Sequence, residues 1–235
     1  MANRYWGLAS TIGKKLLMGL TGLALVGFVF VHLAGNLLLL SPNPDHFNLY
    51  AHTLESMGFL LYLAEAGLVL VFGVHIYNGI SISLKNRRAR PVQYRKKGNA
   101  GGASYKNTSS MSMIWTGLIL FVFLIWHLIA FKFGGGIEAG YTTQLSGVEG
   151  PVRDLYALVV ERFGEAWFSG LYVLVMVLLG VHLRHGFWSA FQSLGANHPR
   201  YMPYVRALGL VVALVLAVGF LFIPIYLYVT GGAQA

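Results

Sequence analysis

The sequence predicts an all-α integral membrane protein, a five-helix transmembrane bundle forming a single domain over residues 1–235. Hydrophobic residues make up 56% of the chain and charged residues only 11%, a balance that soluble domains do not show. Five apolar stretches reach the roughly 20 residues that a helix needs to span about 30 Å of hydrocarbon. Basic residues concentrate in alternate connections, as in multi-pass membrane proteins.

The predicted spans lie near 16–40, 57–84, 112–133, 167–191 and 204–229. The first is too long for a signal-peptide core and lacks a small-residue cleavage site, so we predict that it spans the membrane. Pro224 lies inside the fifth, where a kink is tolerated. The long loop over 134–166 is predicted to hold a short helix from about Val152 to Phe163.

The charged residues predict the orientation. The connection KNRRARPVQYRKKGNAGGASYK after the second span carries eight basic residues and no acid. Of the 17 Lys and Arg, 14 lie on that side, whereas all eight acids lie on the other side or, for Glu65, within the second span. The positive-inside rule then places the N-terminus in the cytoplasm. Membrane topology thus explains most of the net charge of +9, and binding to nucleic acid is not needed to explain it.

The basic connection after the second span could also dock a soluble partner. Its part over 98–110 is predicted to be a flexible linker.

Histidines are the candidate metal ligands, because the absence of cysteine excludes thiolate zinc sites and cysteine-held iron–sulfur clusters within this chain. Each of the first four spans holds one histidine, namely His32, His75, His127 and His182. At about 1.5 Å per helical residue, His32 and His127 lie roughly 12 and 9 Å from the outer end of their spans. His75 and His182 lie roughly 15 and 14 Å from the inner end. The four therefore form an outer and an inner pair.

Two imidazoles from two helices at one depth are what a six-coordinate haem iron needs. The inner pair sits in a repeated motif, GVHIYNG at 73–79 and GVHLRHG at 180–186. Its glycines would let a flat macrocycle lie close to the helices. A lone histidine in a span is more often a hydrogen-bonding residue, but four at matched depths favour ligands. We expect two stacked haem sites, one on each pair.

His185 is the alternative inner ligand, since it follows His182 by three residues and lies on nearly the same face. His182 is favoured because it repeats the GVH context, and His185 is then expected near the inner surface, close to a haem propionate. His46, His52 and His198 are predicted to lie in loops, as solvated side chains.

Cations are expected near the haem propionates. Lys15 and Arg184 are the candidates on the inside, and Arg162 is the candidate on the outside. Glu65 is the only acid inside a span. It is a candidate for proton transfer or quinone contact, with a protonated, hydrogen-bonded structural role as the equal alternative.

The segment STIGKKLLMGLTGLALVGFVFVHLAGNLLLL, followed by FNLYAH and NRRARP, resembles the five-helix dihaem cytochrome b subunit of succinate dehydrogenase and fumarate reductase. The resemblance covers nearly all spans. It implies a multi-pass anchor in a bacterial or archaeal cytoplasmic membrane, carrying a flavoprotein and an iron–sulfur subunit on the cytoplasmic side. It also implies two haems b, a menaquinone-type quinone, and dicarboxylate chemistry in the partner subunits, with a higher oligomer of the complex possible.

The same resemblance assigns the inner haem to His75 and His182 and the outer haem to His32 and His127, as the depths do. One position departs from it. Some fumarate reductases of this family carry a glutamate two residues before the fourth-span histidine, and Gly180 stands there in this chain. That proton route is therefore not expected, which favours succinate oxidation or a generic role.

Two alternatives stay open. The chain could be the haem-bearing quinone anchor of another respiratory complex, of the hydrogenase or formate dehydrogenase type, which only the partners would distinguish. It could also be a transporter without haem whose histidines relay protons. The sequence has neither inverted repeats with broken helices nor a charged pathway across the bilayer, which weighs against a transporter.

Overall fold

The computed structural model describes residue 7, residues 10–89 and residues 108–231. In these ranges the chain forms α1 (Thr11–Asn36), α2 (Asp45–Ser56), α3 (Phe59–Arg88), α4 (Thr108–His127), α5 (Leu155–Gly164), α6 (Ala166–Ser193) and α7 (Met202–Thr230). A 3-10 turn, Leu37–Leu40, extends α1, and a π-helical turn, Leu128–Lys132, extends α4. A second 3-10 turn spans Ile137–Ala139. Five helices, α1, α3, α4, α6 and α7, are long and apolar enough to cross a membrane, which confirms the five predicted spans.

Local signals set the helix ends. The Ser10 side chain accepts a hydrogen bond from the Gly13 amide (3.0 Å) and caps α1. Asp154 caps α5 in the same way through the Ala157 amide (2.9 Å). Gly58, between α2 and α3, has a φ of 54°, a left-handed conformation that a glycine adopts without steric cost. This turn lets the chain reverse from α2 into α3.

The five long helices alternate in direction, so their connections lie at two ends of the bundle, and these ends differ in charge. The basic end carries Lys14, Lys15, Lys85, Arg87, Arg88, Arg200 and Arg206. The acidic end carries α2, α5 and all eight Asp and Glu residues. α1 packs against α3, α6 and α7, α4 packs against α6, and α6 packs most extensively against α7. Leu158, Leu216 and Leu227 are almost fully buried and belong to one hydrophobic core cluster that includes residues of α5 and α7.

α3 lies at the periphery of the bundle. None of its most apolar segment is buried within the protein, and Val69 and Leu70 are 71% and 67% exposed. In water such a surface would be an aggregation site. Against hydrocarbon it costs nothing, because lipid tails are as apolar as the side chains.

The acidic end differs from the sequence expectation. His46 and His52 lie on α2, not in a loop, so that prediction was wrong. α2 is short and amphipathic: it buries Phe47 and Asn48, and half of its other residues are exposed. The predicted outer helix exists, but it begins at Leu155, because Val152–Arg153 pairs antiparallel with Thr142–Thr143 as a two-stranded ribbon.

The predicted linker over 98–110 is only partly described. Its first ten positions, 98–107, lie outside the described residues, as do Arg4 and the rest of the basic loop after Ala89. The last three positions already belong to α4, which begins at Thr108. The linker prediction was therefore wrong at those three positions.

Candidate metal centres

The structure brings the four intramembrane histidines together as two pairs. His75 on α3 faces His182 on α6, with ring centroids 6.4 Å apart and an interplanar angle of 68°. His32 on α1 faces His127 on α4, with centroids 5.9 Å apart and an angle of 87°. These are the pairs that depth along the spans predicts. All four histidines are partly rather than fully buried.

The spacing of both pairs fits one metal ion between two axial imidazoles. With metal–nitrogen bonds of about 2 Å, two imidazoles on opposite sides of an ion have ring centroids about 6 Å apart. The planes of axial imidazoles are free to rotate about the metal–nitrogen bond, so angles of 68° and 87° are compatible with this arrangement. The donor set and spacing therefore fit a bis-histidine haem iron.

Three of the four histidines have a hydroxyl partner on Nδ1. The contacts are Thr21 Oγ1 to His75 (3.3 Å), Thr116 Oγ1 to His182 (3.1 Å) and the Tyr172 hydroxyl to His127 (3.0 Å). Metal-bound histidines usually use their second ring nitrogen in such a bond, which fixes the ring and the tautomer. With Nδ1 engaged, Nε2 is the nitrogen available to a metal.

Two glycines leave room for the His75 and His182 rings. A Cβ built on Gly22 would lie 3.3 Å from Cε1 of His75, and one on Gly117 would lie 3.4 Å from Cε1 of His182. The motif glycines have a less direct role than expected. A Cβ on Gly180 would meet the Ala217 methyl at 2.8 Å, so this glycine lets α6 approach α7.

Aromatic rings enclose the His32 and His127 pair. Phe28 stacks on His32 (centroids 5.4 Å apart), and Phe220 of α7 lies 5.9 Å from it. Phe123 and Phe131 lie 5.7 and 5.5 Å from His127. Such a shell limits water access to a bound metal and so tunes its redox potential.

His185, the alternative ligand, contacts other groups. Its ring lies edge to face with Trp188 at 4.8 Å, and the Arg206 guanidinium lies 5.1 Å from the same Trp188 ring. Its Nδ1 is buried, without a hydrogen-bond partner among the described residues. The structure thus pairs His182, not His185, with His75.

The three predicted propionate partners lie apart from one another. Lys15 and Arg184 are exposed, both on segments near the basic end. Arg162 is partly exposed at the acidic end, 3.7 Å from Glu165. It lines a cavity of about 200 Å³ together with Trp126, Ile129, Ala130, Gly134, Trp167 and Phe168. This cavity adjoins the helix turn that carries His127.

Glu65 lies in the second turn of α3 and accepts a hydrogen bond from the Lys132 ammonium. Lys132 ends the π-helical turn after α4, so the ion pair joins α3 to α4 at the acidic end. Glu65 precedes His75 by ten residues, about 15 Å along the helix. That distance puts the carboxylate near the level of the His32 and His127 pair.

Sequence reasoning missed the hydroxyl partners Thr21, Thr116 and Tyr172. A signal for the two threonines is present in the sequence. The pattern M-x-x-T-G-L-x-L-x-x-F-x-x-x-H-L occurs at 18–33 and again at 113–128. In both copies the threonine precedes the span histidine by eleven residues, or about three helical turns.

Comparison with known proteins assigns no family to this chain. No protein-family model, no curated protein and no solved structure matches it.

Proposed function

We propose that the chain is the dihaem cytochrome b membrane anchor of a succinate:quinone oxidoreductase. In this role it carries electrons between an iron–sulfur subunit and a membrane quinone such as menaquinone. The observation that carries the proposal is the presence of two histidine pairs, with centroids 6.4 and 5.9 Å apart, inside one membrane bundle. The sequence resemblance to that subunit supports it independently.

The two pairs lie in series along the bundle. Thr21 is level with His75, and His32 follows Thr21 by eleven residues on α1, about 16 Å further toward the acidic end. Haem b bound to each pair would supply one-electron transfer at a six-coordinate iron. The chain itself holds three of the four imidazoles through Thr21, Thr116 and Tyr172, and partly buried aromatic side chains limit water access near His32 and His127.

Quinone reduction consumes protons as well as electrons, and the acidic end is where we place it. Glu65 lies near the level of the His32 and His127 pair and exchanges a proton at its carboxylate in this proposal. Asp45, His46, His52 and Glu55 on or beside α2 continue the exchange to the membrane surface. The cavity next to Trp126 and Arg162 is a second position at which a quinone ring could approach the same pair.

The basic end is where we place the partner subunits. The positive-inside rule assigns this end to the cytoplasm, and its charge suits docking of an iron–sulfur subunit that carries a flavoprotein. Dicarboxylate chemistry then belongs to the flavoprotein, since this chain supplies electron transfer and the site of quinone reduction. With Gly180 in place of a glutamate, turnover in the direction of succinate oxidation is favoured.

The test is to purify the tagged chain with its complex from native membranes in mild detergent, add candidate reductants separately, and record reduced-minus-oxidised spectra. Reduction of a b-type cytochrome by succinate supports the proposal. Reduction by hydrogen or formate, but not by succinate, would reassign the chain to another respiratory complex. A folded complex without haem would contradict the cytochrome function and favour a transporter.

A further inference from the structure

The contacts around His75 and His182 are two copies of one local structure. In the first copy α1 packs on α3, and in the second α4 packs on α6. The equivalent residues, first copy then second, are Met18 and Met113, Thr21 and Thr116, Gly22 and Gly117, His75 and His182, and Gly79 and Gly186. The two copies come from helices with different neighbours, so their agreement in detail indicates a shared role.

The agreement extends to single atoms. Each threonine hydroxyl lies near Nδ1 of the histidine (3.3 and 3.1 Å). Each adjacent glycine faces Cε1 of the same ring, at 3.3 and 3.4 Å from a built Cβ. The glycine four residues after each histidine faces the methionine of the opposite helix at 3.9 Å. In both copies the imidazole thus has the same two neighbours, a threonine hydroxyl and a glycine, and a methionine of the same helix as that threonine packs against the motif glycine one turn further on.

The direction of the hydrogen bond follows from the hydroxyl. Thr21 Oγ1 lies 2.7 Å from the Leu17 carbonyl and 3.3 Å from the Met18 carbonyl. Thr116 Oγ1 lies 3.1 Å from both equivalent carbonyls, those of Ser112 and Met113. A hydroxyl has one hydrogen, and in a helix it is donated to such a carbonyl. The remaining lone pairs then accept a hydrogen bond from Nδ1–H of the histidine.

We infer that Thr21 and Thr116 are the positioning residues of the site formed by His75 and His182. Each holds its histidine as the Nδ1–H tautomer and fixes the ring plane, so that the two Nε2 atoms face each other. This inference rests on the proposed function, because it concerns ligands of the haem nearer the basic end. It adds two residues, one on α1 and one on α4, that touch neither a metal nor a quinone.

The bond has a measurable electronic consequence. An imidazole that donates Nδ1–H to an oxygen is a stronger electron donor at Nε2. It therefore stabilises oxidised iron relative to reduced iron. Removing the acceptor oxygen should raise the midpoint potential of the haem held by this pair and leave the other haem unchanged.

The experiment compares Thr21→Val and Thr116→Val, which keep the shape but remove the hydroxyl, with Thr21→Ser and Thr116→Ser, which keep it. Thr230→Val is the matched control, since Thr230 bonds only the Tyr226 carbonyl of its own membrane helix. Redox titration and the low-field electron paramagnetic resonance signals of the purified complex are recorded for each variant. His75→Ala identifies which haem belongs to the pair.

We expect each Val variant to raise the potential of that haem alone. Loss of a hydrogen-bond partner of a metal-bound histidine typically costs about tenfold or more in metal affinity or activity. A change of roughly tenfold in the ratio of oxidised to reduced iron corresponds to a shift of about 59 mV in the midpoint potential of a one-electron couple. Ser variants should restore the wild-type value, and Thr230→Val should leave both potentials unchanged. Loss of that haem in the Val variants, with recovery in the Ser variants, also supports the inference.

The inference is overturned if both Val variants keep the wild-type potential and resonance signals. It is also overturned if Ser and Val change them equally, since Ser keeps the hydroxyl and the effect then does not come from its removal. Two haems in the wild type with unshifted Val variants would contradict this inference and leave the proposed function intact. A wild-type complex without haem would overturn both.

Discussion

Gly22 and Gly117 show how a single missing side chain shapes the candidate site. A Cβ at Gly22 would press on Cε1 of His75 at 3.3 Å, closer than a relaxed carbon–carbon contact. The ring would have to move by a few tenths of an ångström. Because α1 and α3 are packed helices, the histidine rather than the backbone should shift.

We therefore predict that Gly22→Ala lowers the haem content of the purified chain from two toward one. Gly27→Ala, on the same helix with nothing within 4 Å of the built Cβ, should keep two haems. The measurement is haem per chain from the pyridine haemochrome spectrum. Equal haem content in the two variants would show that clearance at Gly22 is not needed.

At the residue scale the sequence predicts the histidines but not their hydroxyl partners. Depth along a span depends only on counting residues, and it selects the same pairs that the structure brings together. Thr21 and Thr116 lie 54 and 66 residues from the histidines they contact. Which helix faces which cannot be read from one span, so these contacts required the packed bundle.

At the scale of elements, Asn48 joins the two short helices of the acidic end. It is 1% exposed. Its side chain donates to Asp154 (2.8 Å) and accepts from the Tyr156 amide (2.9 Å), which lies at the start of α5. The Asn48 side chain on α2 thus forms hydrogen bonds with the capping residue and with the first turn of α5, more than a hundred residues later in the chain.

Asn48→Ala should loosen α2 and α5, because a buried amide left without its partner costs about 1–3 kcal/mol. Hydrogen exchange measured by mass spectrometry should speed up in both helices and stay unchanged around His75. Thr53→Ala is the control, since Thr53 is exposed on the same helix and bonds only the Leu49 carbonyl. Unchanged exchange in α5 of the Asn48 variant would contradict this role.

Arg153 has a similar function at the end of α4. Its guanidinium donates to three backbone carbonyls, those of Phe131 (2.7 Å), Gly135 (3.0 Å) and Gly134 (3.2 Å). Phe131 lies in the π-helical turn and the two glycines follow it, a region where carbonyls lose their partners within the helix. The turn begins one residue after His127, so we expect the position of this candidate ligand to depend on it.

Arg153→Met removes the three donors and keeps much of the side-chain length. We predict loss of the haem on the His32 and His127 pair, with the other haem retained, as measured by haem content and redox titration. Arg200→Met, an exposed arginine at the basic end, should leave both haems in place. Equal loss of the two haems in the Arg153 variant would indicate general unfolding instead.

The five long helices and the short helix α5 were predictable from the sequence, whereas α2 and the two-stranded ribbon were not. Each span is an apolar run of more than 20 residues, so its existence follows from hydropathy alone. α2 has twelve residues of mixed polarity and becomes recognisable only when Asn48 meets Asp154. The two-residue strands likewise form only by pairing Thr142–Thr143 with Val152–Arg153, and the sequence near each strand does not predict this pairing.

At the scale of the whole molecule, the two ends differ in charge, and the proposed orientation follows from that difference. The chain has no cysteine, so one introduced thiol reports one position. Thr53→Cys on α2 should react with a membrane-impermeant maleimide added outside intact cells. Tyr201→Cys, where the tyrosine is 58% exposed at the basic end, should react only in inverted vesicles. The reverse pattern would invert the bundle.

We propose that the four histidines bind two haems, each haem held by one pair. The most direct test is haem per chain in His75→Ala, in the same-pair double variant His75→Ala/His182→Ala, and in the cross-pair double variant His75→Ala/His32→Ala. His198→Ala, in the connection between α6 and α7, is the control. We predict two haems in the wild type and in the control, one in the single and same-pair variants, and none in the cross-pair variant. One haem in the cross-pair variant, or fewer in the same-pair variant than in the single one, would contradict the pairing.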